Sequence, residues 1–107
     1  MIKVYGSFYD ARIQQVNTII EKLFPSNRSS TLEQGSVFLS DGYLFECSVE
    51  EDNLFKRLAL SADFKGNEAQ LKDVMATLKK MLTDNGIGYD LEYEIEKDGR
   101  FTTYKID

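Results

Sequence analysis

Apolar and charged residues alternate with period 2 from Tyr89 to Lys97, break at Asp98-Gly99, and resume alternating to Ile106. Two alternating runs across an Asp-Gly pair predict a β-hairpin closed by a two-residue primed turn. Pairing outward from the turn sets Lys97 opposite Arg100, Ile95 opposite Thr102 and Tyr93 opposite Tyr104. One face of the hairpin then carries Leu91, Tyr93, Ile95, Tyr104 and Ile106. The other face carries Asp90, Glu92, Glu94 and Glu96.

The same reasoning runs through the rest of the chain. Ile2, Val4 and Phe8 alternate with polar positions in a first strand, where Gly6 marks a bulge or a close backbone approach. Asp10 is the expected cap of a helix in which Ile13, Val16, Ile20, Leu23 and Phe24 recur at helical spacing, with Pro25 as its stop. Residues 26–35 read as a polar connection, either functional or mobile. Ser36 to Leu39 and Tyr43 to Val49 flank Asp41-Gly42, a second turn of the same two-residue kind.

A further strand is expected from Leu54 to Phe64, after a four-residue loop at Glu50–Asn53. That register faces Val49 with Leu54 and Phe45 with Leu58, and brings Glu46 to Arg57. It keeps the apolar residues on one face and leaves Lys56 to snorkel from the core side. Asn67 followed by Gln70 forms a capping box. Leu71, Val74, Met75, Leu78, Met81 and Leu82 form the apolar stripe of a second helix, which Asn85-Gly86 ends.

Helices separated by hairpins indicate an α+β domain: an antiparallel sheet with two helices packed on one face. The order suits a ferredoxin-like, split β-α-β arrangement with an extra C-terminal hairpin strand. With no repeat and no linker, the 107 residues read as a single domain.

Composition narrows the setting. One cysteine allows no intramolecular disulfide, which fits a reducing, cytoplasmic location. The first residues read as a strand rather than an apolar leader, and no apolar run reaches the roughly 18 residues of a membrane span. A net charge of −5, with Lys and Arg scattered, disfavours nucleic acid and anionic membranes as partners.

Candidate chemistry is sparse. Histidine is absent, removing the commonest general base and zinc ligand. Cys47 is in phase with Phe45 and Val49 and reads as a buried thiol rather than a nucleophile. No phosphate-cradling glycine loop or calcium loop occurs, so neither a cofactor nor a metal site is expected. Catalytic residues are likewise not assigned.

What stands out is the strip Asp90, Glu92, Glu94 and Glu96, whose like charges stand about 6.5–7 Å apart along one strand. Among cross-strand neighbours from the last strand, Lys105 alone offers compensation. Tyr5, out of phase with Val4 and Phe8, joins the strip on the exposed sheet face as a contact aromatic. A solvated surface explains such a strip. The functional reading is a non-enzymatic protein-binding module that meets a basic partner through these five residues, as immunity proteins and small acidic chaperones do. Two other readings compete with it. One is a small-ligand or catalytic domain with its site near the 26–35 loop; the other is a homo-oligomerising domain, such as a homodimer through the sheet.

Overall fold

The computed structural model describes residues 2–23, 28–33, 36–40 and 45–106; between residues 24 and 44 it describes backbone only. The elements run β1 (Ile2–Tyr9), α1 (Ile13–Leu23), β2 (Arg28–Glu33), β3 (Ser36–Ser40), β4 (Phe45–Asp52), β5 (Arg57–Phe64), α2 (Glu68–Asp84), β6 (Gly88–Lys97) and β7 (Arg100–Ile106). All seven strands join one sheet in the order β2-β3-β4-β5-β1-β6-β7, and every neighbouring pair is antiparallel. Its central strands β4-β5-β1-β6 have the ferredoxin-like order. β2 and β3 extend one edge, and β7 extends the other.

Period-2 alternation sorts the sheet's residues between two faces. Val4, Phe8, Phe45, Val49, Leu58, Leu60, Phe64, Leu91, Tyr93 and Ile95 are buried on the helix side. Ile13, Val16, Ile19 and Ile20 of α1 and Leu71, Met75, Leu78 and Leu82 of α2 meet them there in one core. Fully burying each such aliphatic or aromatic side chain contributes about 1.5–3 kcal/mol. The helices therefore cover one face of the sheet.

The ends of α2 follow their sequence signals. Asn67 accepts from the Gln70 amide at 2.8 Å while Gln70 accepts from the Asn67 amide at 2.8 Å, a complete capping box. At the other end Gly86, at φ 69°, takes the left-handed position, and the Ile87 amide donates to the Leu82 carbonyl at 2.9 Å. In the last hairpin Asp98 and Gly99 both have positive φ, 53° and 77°, as the primed turn requires. Its register pairs Lys97 with Arg100, Ile95 with Thr102 and Tyr93 with Tyr104.

Several expectations need correction. Asp10 does not cap α1: it sits at φ 57°, which Asp tolerates, and the helix begins at Ile13. The Arg12 amide instead donates to the Gln15 side chain at 2.8 Å, half of a capping box. Gly6 is a close approach and not a bulge, because its pairing with Leu60 and Leu91 is in continuous register. The 26–35 segment is not one loop, since Arg28–Glu33 is edge strand β2, paired to β3. Asp41-Gly42 lies outside the described residues, as do Phe24 and Pro25.

The β4–β5 connection does have four residues, but they are 53–56 rather than 50–53. Val49 consequently faces Leu60, Phe45 faces Phe64, and Asp52, not Glu46, meets Arg57. The shift is an even number of residues, so the side chains that remain in the two strands keep their face. Leu54 and Phe55 fall in the turn, 83% and 66% exposed. Lys56 is exposed there at φ 52° rather than lying on the core side. Tyr104, expected inside, is 39% exposed and lies stacked on Tyr93 with ring centroids 5.2 Å apart.

Candidate functional site

The face of the sheet turned away from the helices is organised in rows. One row crosses β4, β5, β1, β6 and β7 as Glu46, Asp63, Lys3, Glu94 and Thr103. The next reads Ser48, Ser61, Tyr5, Glu92 and Lys105, and a third reads Glu50, Ala59, Ser7 and Asp90. Asp52 and Arg57 close the pattern at one end, and Glu96 stands opposite Phe101 at the other. Carboxylates therefore extend well beyond the single strip on β6.

Each proposed contact residue falls on this face. Asp90 and Glu96 are exposed, while Glu92, Glu94 and Tyr5 are half-buried among their neighbours. Leu91 and Ile95, the residues between them, are buried on the helix side. Tyr5 lies directly across from Glu92, so the pairing brings that aromatic into the strip. The strip itself is less bare than expected. Lys105 flanks Glu92 from β7, and Lys3 flanks Glu94 from β1, a partner that local periodicity does not reveal.

The face is concave. Ser7 and Ala59 pair with each other, and with Gly6 they line the floor of a trough of about 780 Å³. Tyr5, Tyr9, Arg57, Asp90, Glu92 and Lys105 are larger and form its sides. The hollow arises because small residues occupy the centre of rows whose ends carry long side chains. Gly6 contributes only backbone to the floor, because it is in phase with Val4 and Phe8; on the helix side a Cβ there would collide with the Leu91 side chain and come within 2.6 Å of the Asp90 carbonyl oxygen.

Polar contacts hold the sides in place. Tyr9 donates its hydroxyl proton to Asp90 at 2.9 Å. The Arg57 guanidinium donates through Nε to Asp52 at 3.1 Å and through Nη1 to the buried Ser7 hydroxyl at 2.5 Å. Its carbon lies 5.5 Å from the centre of the Phe55 ring. Desolvation pushes the Asp52 carboxyl upward, but the hydrogen bonds from Arg57 and the Phe55 amide, with the Arg57 charge, outweigh it and hold Asp52 below its ordinary range. Arg57 is thus engaged on several sides, with its orientation preset.

Arg57, Tyr9, Ser7 and Lys3 are members of the site that the strip on β6 does not announce. The alternation of Arg57, Ala59, Ser61 and Asp63 with Leu58, Leu60, Ala62 and Phe64 carries the signal for the β5 residues. Among the described residues no three Asp, Glu, Cys or His side chains are placed to hold a metal ion. No helix among them is long and apolar enough to cross a membrane. The trough lies on β1, β5, β6 and β7, away from β2, where a site near residues 26–35 would have been.

Fold and surface together define a ferredoxin-like α+β domain with one helix-covered sheet face and one open, carboxylate-rich face. No protein-family model matches the chain, and no curated protein matches it. Among solved structures it is similar to a formyltetrahydrofolate deformylase from Pseudomonas putida KT2440, at 13% identity and a TM-score of 0.45. That likeness covers 85% of this chain and 28% of the deformylase chain.

Proposed function

We propose that this domain is a non-enzymatic protein-binding module that offers its open sheet face to a basic partner. The observation that carries the proposal is the set of rows on that face. Glu46, Glu50, Asp52, Asp63, Asp90, Glu92, Glu94 and Glu96 occupy it, against Lys3, Arg57 and Lys105. Such a field draws a positively charged protein into encounter and disfavours acidic ones. The trough supplies what charge alone lacks. A lysine or arginine side chain entering it meets Asp90 and Glu92, with the Tyr5 and Tyr9 rings beside its stem. Immunity proteins and small acidic chaperones work in this general way, and the buried thiol of Cys47 suits a reducing cytoplasm.

The test is affinity capture with the wild-type chain and with Glu92→Lys combined with Glu94→Lys. A basic protein retained by the wild type and lost by the double variant, at nearly equal melting temperature, supports the proposal. Retention of the same proteins by both would reduce the acidic face to a solvated surface.

A small-ligand reading also has one observation in its favour, the trough itself, whose volume falls in the usual range for ligand pockets. Its lining carries the charged groups Arg57, Asp90, Glu92 and Lys105, with Arg57 already held by Asp52 and Ser7. A charged metabolite that raises the melting temperature through Arg57 and Asp90 would favour this reading over protein binding.

A further inference from the structure

The strand β7 is a sheet edge, and its side chains from Arg100 to Lys105 are exposed, with Phe101 62% exposed. In a two-residue hairpin the pair flanking the turn is hydrogen-bonded, and hydrogen-bonded pairs then alternate along the ladder. Arg100, Thr102, Tyr104 and Ile106 therefore direct their amides and carbonyls toward β6. Phe101, Thr103 and Lys105 direct theirs outward, toward no other strand among the described residues. We propose that this edge pairs with the same edge of a second copy, antiparallel about a two-fold axis at Thr103, extending the sheet across a homodimer.

The register follows from using the whole strand. Thr103 faces Thr103 of the second copy, Phe101 faces its Lys105, and Arg100 faces its Ile106. No like charges meet directly. Phe101 gains the stem and ammonium of a lysine, a cation–π arrangement that covers an otherwise exposed ring. Lys105 is usually the kind of residue that blunts an edge. Here it already lies opposite Glu92 of its own sheet, so its charge is answered within each copy.

The acidic face does not forbid this pairing. Across the axis the row reads Glu94, Thr103, Thr103, Glu94, which separates the two carboxylates by three strand spacings, roughly 14 Å. That exceeds the Debye length of about 8 Å at physiological ionic strength. The strip on β6 lies one strand inside the new seam and stays open, while Lys105, which forms one side of the trough, is shared between the trough and the dimer contact.

Cysteine placement tests the register. At a hydrogen-bonded antiparallel pair the Cα atoms are about 5.5 Å apart, within disulfide reach. Phe101 and its copy are offset by four residues, roughly 13 Å, beyond that reach. Mild oxidation should therefore convert Thr103→Cys to a covalent dimer and leave Phe101→Cys monomeric; Cys47 is only 2% exposed. Equal cross-linking of both variants, or none at position 103, overturns the proposal.

Sedimentation equilibrium of the unmodified chain should show a concentration-dependent monomer–dimer equilibrium. Thr103→Pro should abolish it at nearly unchanged melting temperature, since the amide removed faces away from β6. A chain that remains monomeric at millimolar concentration, or that grows past the dimer, also overturns it.

Discussion

Lys3 on β1 stands directly opposite Glu94 on β6, and Asp63 on β5 flanks it from the other side. One cation thus lies between two carboxylates at the centre of the open face. Cross-strand pairs of opposite charge contribute about 0.2–1 kcal/mol, and like charges opposite one another cost a similar amount. The acidic face is tolerable because Lys3 and Lys105 divide it into smaller groups. Lys3→Glu should therefore destabilise the fold by about 0.5–1 kcal/mol in dilute buffer. Raising the ionic strength should recover most of the loss in a urea titration. A loss that salt does not change would mean that Lys3 matters by packing and not by charge.

Tyr93 links the sheet to α2. Its hydroxyl donates to Glu68 at 2.8 Å, and burial first, then the hydrogen bond and charge of Glu68, push its pKa from 10.0 up to about 12. The folded value lies above the unfolded one. Its stabilising contribution is thus complete below pH 10 and is lost as the pH rises toward 12. Tyr93→Phe removes the hydrogen bond and should cost about 1 kcal/mol at neutral pH. The gap between wild type and variant should narrow between pH 10 and 12 in denaturant titrations. A constant gap across that range would contradict the assignment.

Gly6 is a test of packing beneath the trough. The Leu91 side chain and the Asp90 carbonyl occupy the space a methyl group would need. Gly6→Ala should cost about 1–3 kcal/mol, the usual price of overpacking a filled site. Differential scanning calorimetry should show a lower melting temperature, and NMR should place the largest shifts at Leu91 and Asp90. A neutral substitution would mean that β1 and β6 separate easily.

Asn67 and Gln70 offer the cleanest local prediction. Asn67→Ala leaves the first turn of α2 without its side-chain acceptor and should cost about 1 kcal/mol. Chemical denaturation measures this directly. An effect near zero would show that the hydrogen bond seen there contributes nothing net.

These cases also show how much a local pattern reveals. The last hairpin, the capping box and the glycine stop of α2 were legible because a few adjacent residues determine each geometry. The β4–β5 register was not. Leu54 and Phe55 look like strand residues, while the turn is set by Asp52, which accepts from the Phe55 amide at 3.3 Å and from Arg57, and by Lys56 at positive φ. Arg28–Glu33 reads as loop because its residues are polar, yet its backbone pairs with β3. The carboxylates on β6 and the placement of Tyr5 followed from phasing alone. Lys3 beside Glu94, and Tyr9 beside Asp90, depend on β1 lying next to β6, a long-range pairing that no short window encodes.

Under the proposed function a basic partner meets the open side of the sheet and not the helices. Adding a lysine-rich peptide to the isotopically labelled chain at low ionic strength, and following backbone amide shifts, tests it most directly. Binding through the open face should concentrate the shifts at Tyr5, Ser7, Tyr9, Asp90, Glu92 and Glu94, fading as salt is raised. Shifts confined to α1 and α2, or to the exposed Leu54-Phe55 turn, would contradict it.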